Sequence, residues 1–273
     1  MQKKSIPTHK LDWLGILSLI AGGFIPAMFA SFFGLFIGYI TNQQIATSDY
    51  FLVGTNLVMW LGSIIAFDFV SYRQQTGQKL NFNMSITDGN TLLLIFPMMF
   101  GMMLISEFTV SQIPISGPFW GPLFEAFMEL MESMTNNTAT MFLLAVLMAP
   151  VFEEIVFRGI IQKGLVNKGI NPKKAIWITA VLFGLVHMNP WQFVGATLLG
   201  YVLGLVYHKT NSLLLVILLH AFNNLTTTLL IKFTGIESFS DYFKISEWFT
   251  LLIGIVLFTI SHQLFLKKYS SKF

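Results

Sequence analysis

Residues 138–166 read TATMFLLAVLMAPVFEEIVFRGIIQKGLV. The stretch is long enough to cross the hydrocarbon core of a membrane as a helix, which takes roughly 20 apolar residues. It nevertheless carries Glu153, Glu154 and Arg158 in its interior. A charge near the bilayer centre costs at least ~2.5–3.5 kcal/mol, so such residues are rare in spans and usually functional. The stretch therefore predicts a membrane-spanning helix that holds part of a functional site.

The composition of the whole chain also indicates a membrane protein. Hydrophobic residues make up 54% of the sequence and charged residues only 11%, whereas a soluble domain usually carries about 25% charged residues. The sequence has no cysteine, which excludes disulfides and thiolate metal sites. The pI near 9.0 does not indicate nucleic acid as a partner, because the charges are scattered among apolar runs. Most of the chain is therefore expected to face membrane lipids.

Apolar runs recur along the sequence. We expect eight spans, at roughly 13–40, 51–72, 91–106, 138–166, 173–188, 191–208, 211–231 and 246–266. The third run is short, and the first is long enough to tilt or to kink at Pro26. In the sixth run, Gly200-x-x-x-Gly204 favours close helix packing. The predicted fold class is all-α, a polytopic membrane helix bundle with about eight transmembrane helices.

The positions of the charges predict the orientation. With the N-terminus inside, the cytoplasmic segments hold Lys3, Lys4, Lys10, Arg73, Lys79, Lys163, Lys168, Lys173, Lys174, Lys209, Lys267, Lys268 and Lys272. The opposite side holds Lys232, Lys244, Glu107, Glu125, Glu129, Glu132, Glu237, Asp241 and Glu247. Lysine and arginine are enriched in cytoplasmic loops. We therefore expect a multi-pass protein of the cell membrane with both termini in the cytoplasm, and we place His9 in the N-terminal tail.

The chain divides into three predicted parts. Residues 1–137 form the N-terminal transmembrane helices, residues 138–230 a catalytic core, and residues 231–273 the final helix and a cytoplasmic tail. The segment 123–134 reads as an amphipathic helix that lies in the membrane interface. Its acidic and apolar faces consist of Glu125, Glu129 and Glu132, and of Phe124, Phe127, Met128 and Met131. A helix that seals a loop and a gate over a substrate path are both compatible with this pattern.

Polar residues collect in the second half of the sequence. Glu154 and Arg158 are spaced i, i+4 and can pair on one helix face, whereas Glu153 points about 100° away and has no local partner. His220 and Asn224 share the same spacing in the seventh run, and so present an imidazole and an amide side by side.

These groups are predicted to lie at one depth. At ~1.5 Å per residue, Glu153, His187 and His220 are about 20, 21 and 14 Å from the cytoplasmic ends of their helices. They can therefore converge near mid-membrane. A water held between Glu153 and His187 can attack a carbonyl, while His220 and Asn224 donate hydrogen bonds to the developing oxyanion.

Three motifs carry a resemblance to a known family. They are Glu-Glu-x-x-x-Arg at 153–158, Phe-x-x-x-His at 183–187 and His-x-x-x-Asn at 220–224. In this order and on separate membrane helices, they resemble the CPBP family, the CAAX prenyl endoproteases and bacteriocin-processing or immunity proteins. The resemblance covers roughly residues 138–230, since the first 137 residues match only in being membrane-spanning.

The resemblance implies an intramembrane endopeptidase and a role for each residue. Glu153 and His187 would activate water, and His220 and Asn224 would form the oxyanion site. Glu154, Arg158 and Phe183 would support this arrangement. The implied substrate is a hydrophobic or lipidated peptide or protein in the membrane.

The need for a metal stays open at this point. Members of the family are commonly called metalloproteases, and Glu153, His187 and His220 together could mimic a His₂Glu zinc set. The HExxH helix of many zinc proteases is absent from the sequence. We expect no required cofactor, with zinc as the alternative.

Two other classes of function also fit buried Glu and His residues. A proton-coupled transporter uses such residues as a relay, although the internal repeat typical of transporters is not found in this sequence. A non-catalytic membrane immunity or binding protein is the second alternative.

Overall fold

The computed structural model describes residues 8–86, 88–135, 137–235 and 238–270. Four charges used in the topology prediction, Lys3, Lys4, Glu237 and Lys272, lie outside these residues. The described residues form helices and no strand. The helices are α1 (Trp13–Thr41), α2 (Asp49–Thr76), α3 (Gly89–Ser111), α4 (Trp120–Thr135), α5 (Thr138–Asn167), α6 (Pro172–Leu185), α7 (Pro190–Thr210), α8 (Leu213–Thr234), α9 (Phe239–Phe243) and α10 (Glu247–Lys268).

Within the described residues, seven helices are long and apolar enough to cross a membrane. They are α1, α2, α3, α5, α7, α8 and α10. The all-α class and the polytopic membrane character are thereby confirmed, and a count of about eight spans is compatible with the structure. The expected span at 173–188 corresponds to α6, which has only 14 residues. The third span is longer than expected, because Asp88 caps its start and the helix continues to Ser111.

The chain divides into two units. The first consists of residues 1–82 and 159–171, and the second of residues 83–158 and 172–273. Helix α5 contributes residues to both units.

Helices α1 and α2 form the main helix pair of the first unit. They approach so closely that a Cβ atom at Gly62 would overlap the carbonyl oxygen of Gly22. The hydroxyl of Ser63 donates to the carbonyl of Leu19 at 2.8 Å across the same contact. Small residues of this kind allow membrane helices to pack backbone to backbone.

The N-terminal segment of the first unit is held against residues 159–171. His9 is 1% exposed, and its Nε2 lies 2.9 Å from the carbonyl oxygen of Ile160. Asn167 donates to the carbonyl of His9 at 2.9 Å, and Leu11 donates to the carbonyl of Gly164 at 3.2 Å. The sequence placed His9 in a tail, but the structure buries it among hydrogen-bond partners distant in the chain.

In the second unit, α4 shows the two faces that the sequence predicted. Its acidic residues Glu125, Glu129 and Glu132 are exposed, and its aromatic residues Phe124 and Phe127 are partly covered. These two rings pack against the indole of Trp191 at the start of α7, with centroid distances of 5.0 and 5.7 Å. The apolar face of α4 therefore packs on protein.

Candidate active site

The site is organised around an irregular helix, α5. Two π-helical segments, Phe142–Met148 and Ile155–Gln162, flank the regular turns of Ala149–Glu154. Such bulges within an α-helix occur frequently at functional sites. The two adjacent carboxylates, Glu153 and Glu154, lie at the end of the regular segment between the bulges.

In the first π-helical segment, one backbone carbonyl accepts a hydrogen bond from a side chain and not from a backbone amide. The amide of Ala149 donates to the carbonyl of Leu144, five residues earlier. In the same register, the carbonyl of Ala145 would accept from residue 150, but Pro150 has no amide hydrogen. Asn224 Nδ2 donates to the Ala145 carbonyl instead, at 2.7 Å. This bond fixes the Asn224 carboxamide beside the helix that carries the glutamates.

Glu154 lies in a hydrogen-bonded cluster of buried charges, in which Glu154 Oε2 and Arg158 Nε have no hydrogen-bond partner among the described residues. Glu154 and Arg158 are both 0% exposed. The same oxygen of Glu154, Oε1, accepts from Arg158 Nη1 and from His220 Nδ1, each at 2.8 Å. Arg158 also donates through Nη2 to the carbonyl of Gly200 at 3.2 Å. The structure therefore contains the i, i+4 pair that the spacing predicted and adds His220 to it.

Glu153 lies in a different environment from its neighbour. Its side chain is 15% exposed, and the closest ion-pair contact of its carboxylate is His220 Nε2 at 4.0 Å. No hydrogen bond joins the Glu153 side chain to the described parts of the chain. Glu153 therefore has a carboxylate available to another molecule, while one imidazole faces both glutamates.

His187 does not lie within a helix as expected. Helix α6 ends at Leu185, and His187 follows in the turn that leads to α7. The turn has a local cause: Asn189 caps α7 through its side chain and precedes Pro190, which disfavours a helical conformation at residue 189. Asn189 Nδ2 also donates to the His187 carbonyl at 3.0 Å.

The hydrogen bond of the His187 ring assigns its neutral tautomer. His187 Nδ1 lies 2.8 Å from the carbonyl oxygen of Phe183. A carbonyl oxygen can only accept, so Nδ1 carries the hydrogen and Nε2 presents a lone pair in the neutral ring. Nε2 can thus accept a hydrogen bond from water or bind a metal.

Phe183 connects the two histidines. Its ring centroid lies 5.4 Å from the His187 ring and 5.6 Å from the His220 ring, edge to face in both cases. The guanidinium of Arg158 lies 4.5 Å from the same centroid, a favourable cation–π arrangement. The three motifs from separate helices therefore meet around one buried phenylalanine.

The sequence interpretation missed Asn223. Its Nδ2 donates to Asn224 Oδ1 at 2.9 Å, so the two neighbouring amides form a chain that ends at Ala145. The amide nitrogen of Asn224 has two hydrogens, and one of them remains for a ligand. A second asparagine directly before the motif residue was the available signal.

The residues named for zinc do not form a metal site in the structure. Among the described residues, no group of three or more His, Asp or Glu side chains is placed to hold a metal ion. One ring nitrogen of His220 already donates to Glu154, and the other lies 4.0 Å from the Glu153 oxygen. We therefore derive no chemical step through zinc.

Fold and site together define a class: a helical, integral membrane protein with two glutamates, an arginine and two histidines gathered among its helices. The comparison with known families is more specific. The family described as type II CAAX prenyl endopeptidase Rce1-like, part of the CPBP family, matches residues 135–226. The match covers about a third of the chain and confirms the resemblance drawn from the three motifs. It supports CAAX-type intramembrane endopeptidase activity in general. No curated protein and no solved structure matches the chain.

Proposed function

We propose that this protein hydrolyses a peptide bond of a hydrophobic or lipidated peptide or protein within the cell membrane. Glu153 is the residue that activates water. The observation that supports this role is the contrast between the two adjacent glutamates. Glu154 is fully buried and its Oε1 accepts from Arg158 and His220, while the Glu153 carboxylate is partly exposed and is left for a ligand beside the same imidazole.

In the first step of the proposed mechanism, the Glu153 carboxylate accepts a proton from water. The water oxygen forms a bond to the carbonyl carbon of the substrate, and the carbonyl oxygen becomes an oxyanion. His187 Nε2 accepts a hydrogen bond from the same water, because its Nδ1 hydrogen is committed to Phe183. General base catalysis of this kind typically contributes about 10²–10⁴-fold to the rate.

The oxyanion is stabilised by donors from α8. Asn224 Nδ2 donates one of its two hydrogens to the Ala145 carbonyl and donates the other to the oxyanion. His220 donates Nδ1–H to Glu154, so its Nε2 carries a hydrogen only when the ring is protonated. In that form Glu154 and the oxyanion offset the charges of Arg158 and of the imidazolium, because Glu153 is neutral once it holds the proton from water, and Nε2–H donates to the oxyanion.

In the second step, the proton on Glu153 moves to the amide nitrogen of the substrate. The carbon–nitrogen bond breaks, the carbonyl re-forms, and an acid and an amine leave. Every proton in this scheme is accounted for by water and Glu153. Both termini lie in the cytoplasm in this proposal, and membrane lipids surround the substrate.

The test is cleavage of a membrane-peptide library by the purified protein in lipid. Wild type is compared with Glu153→Gln, which keeps the shape of the side chain and removes the base. Glu125→Gln on the exposed face of α4 is the matched control. Products are identified by mass spectrometry, with and without a chelator.

The outcomes distinguish the glutamate mechanism from a metal mechanism and from functions other than proteolysis. Activity that is lost only in Glu153→Gln supports the glutamate-activated water. Loss with the chelator and recovery with zinc would replace it with a metal mechanism. If folded wild type cleaves nothing, or if Glu153→Gln cleaves as well as wild type, the protease proposal fails. A non-catalytic immunity or binding protein, or a proton-coupled transporter, would then take its place.

A further inference from the structure

A cavity of about 350 Å³ lies in the second unit, between α3, α7, α8 and the start of α9. It is lined by Met103, Ser106, Glu107, Val110, Ser111, Leu199, Asn223, Thr227, Ser238 and Phe239. Most of these residues are polar, although three of the helices are membrane-spanning candidates. The exposed wall of the cavity is nevertheless mostly apolar, and the cavity is open to its surroundings. It therefore offers apolar surface together with hydrogen-bonding groups, as a membrane peptide requires.

One end of the cavity lies next to the site described above. Asn223 lines the cavity and donates to Asn224, the proposed oxyanion donor, at 2.9 Å. Thr227 lies one helical turn further along α8, where its hydroxyl donates to the carbonyl of Asn223. The cavity thus follows α8 from the reacting group toward the C-terminal end of that helix.

The other end of the cavity is acidic. Glu107 lines it directly, and its two carboxylate oxygens accept from the amides of Phe239 and Ser240 and from the Ser240 hydroxyl at 2.8–3.0 Å. Ser111 and Ser238 also line it, and their hydroxyls donate to Glu247 at 3.1 Å and to Asp241 at 2.7 Å. In the described parts of the chain, none of these three carboxylates takes part in an ion pair. Within the part of the chain that the structure describes, no lysine or arginine therefore lies within ion-pair distance of this negative charge.

We propose that this cavity is the subsite for the substrate segment on one side of the scissile bond, and that this segment carries lysine or arginine. The proposal rests on the proposed protease function. Hydroxyls and the Asn223 amide both donate and accept, as the backbone of an extended peptide requires. At ~3.3 Å per residue, about two peptide residues span the turn between Thr227 and Asn223. The cationic side chains would then reach the three carboxylates.

The cysteine-free sequence allows a direct test. Thr227→Cys places the only thiol of the protein in the cavity. Thr226→Cys is the matched control, because Thr226 is the neighbouring threonine, makes the same bond to the carbonyl four residues earlier, and is not part of the cavity lining. Both are made in the Glu153→Gln background, so that a bound peptide is not cleaved. The probe is an apolar peptide of membrane-spanning length that ends in a run of lysines, with a twin that ends in glutamates.

The measured quantity is the rate at which a maleimide alkylates each thiol in lipid. At a peptide concentration ten times its Kd, the lysine peptide is expected to slow alkylation of Thr227→Cys about tenfold. The glutamate twin is expected to protect much less, and Thr226→Cys to be protected by neither. Glu247→Gln should weaken the protection by the lysine peptide. Equal protection by the twins, equal protection of both thiols, or a Thr227→Cys thiol that does not react without peptide overturns the proposal.

The subsite and the protease proposal can fail separately. If wild type cleaves the lysine peptide while Thr227→Cys is not protected, the protease stands and the subsite is wrong. If Thr227→Cys is protected but wild type cleaves neither peptide, the cavity binds cationic peptides and the protease proposal is wrong. If there is neither protection nor cleavage, both are overturned.

Discussion

The two adjacent glutamates of α5 belong to regions with opposite properties. The closed side of the site, Glu154, Arg158 and His220, is a set of buried charges joined by hydrogen bonds of 2.8 Å. The open side, Glu153 and His187, leaves a carboxylate and an imidazole nitrogen to a ligand. A one-residue step along a helix turns the side chain by about 100°, which is enough to place the two carboxylates in these two environments.

This difference separates stability from chemistry. Removal of one partner from a buried, bonded charge pair leaves an uncompensated charge, which is strongly destabilising. A carboxylate that the protein leaves without a hydrogen bond contributes little to folding and remains available to accept a proton. The closed side should therefore control whether the site forms, and the open side whether it reacts.

The largest expected effect tests the open side against the closed side with the same substitution. Glu153→Gln should lower kcat/KM by about 10²–10⁴-fold and leave the Tm in lipid unchanged, because it removes a base and no hydrogen bond. Glu154→Gln should lower both quantities, since Arg158 loses its counter-charge. Peptide cleavage and thermal unfolding of both variants are the measurements. A drop in Tm for Glu153→Gln as large as for Glu154→Gln would contradict the comparison.

The next effect concerns the closed side alone. Arg158→Met should lower the free energy of unfolding by about 3–5 kcal/mol, because Glu154 loses its cation in a fully buried position. Arg73→Met is the matched control: Arg73 pairs with Asp68, but its side chain is 30% exposed. The control should cost at most about 1 kcal/mol. Unfolding by denaturant in mixed micelles measures both, and equal losses would mean that burial does not decide the difference.

A smaller effect tests how Asn224 is held. Pro150→Ala supplies an amide that can bond to the Ala145 carbonyl and displace the Asn224 side chain. One hydrogen bond of about 0.5–1.5 kcal/mol corresponds to a loss of about 2- to 12-fold in kcat, with KM and Tm little changed. Pro97→Ala in α3 is the control, since Pro97 also lies inside a helix.

A double variant shows whether this loss acts through Asn224. In an Asn224→Ala background, Pro150→Ala should have no further effect on kcat, because the side chain it displaces is gone. Additive losses would show that Pro150 acts in another way.

Much of the site could be predicted from spacing. Glu154 with Arg158, and His220 with Asn224, are i, i+4 pairs, so helix geometry alone places each pair on one face. The two faces of α4 and most spans follow from the same periodicity and from length. Gly200 also allows the predicted close approach, since a Cβ there would lie 3.2 Å from the Cα of Ala180.

The rest depends on features that periodicity does not contain. The bond from Asn224 to Ala145 arises from a π-helical register, whereas the interpretation assumed 3.6 residues per turn. His187 lies outside α6 because Asn189 and Pro190 favour a turn. The prediction overlooked this turn because both residues adjoin a long apolar run. Trp191 is 6% exposed under α4, a burial that the pattern of its own apolar run does not indicate. The burial of His9 requires a contact between residues 151 positions apart, which no local pattern indicates.

The smallest expected effect concerns the titration of His9 in the first unit. His9 is buried and hydrogen-bonded, so, like the closed side of the site, it should affect stability. Burial lowers the pKa of His9 below its ordinary value of 6.5, and nearby Lys163 lowers it further, while the bond to Ile160 and the charge of Asp12 oppose the shift. Below about pH 6.5 the unfolded chain therefore binds a proton that the folded chain does not, and the free energy of unfolding falls as the pH falls. The slope from this one group is at most about 1.4 kcal/mol per pH unit.

His9→Gln keeps a donor for the Ile160 carbonyl and cannot titrate, so its Tm should fall less than that of wild type between about pH 7.5 and about pH 5.5. Thermal unfolding of the two proteins across this range is the measurement, and parallel curves would show that His9 is not held neutral by its burial.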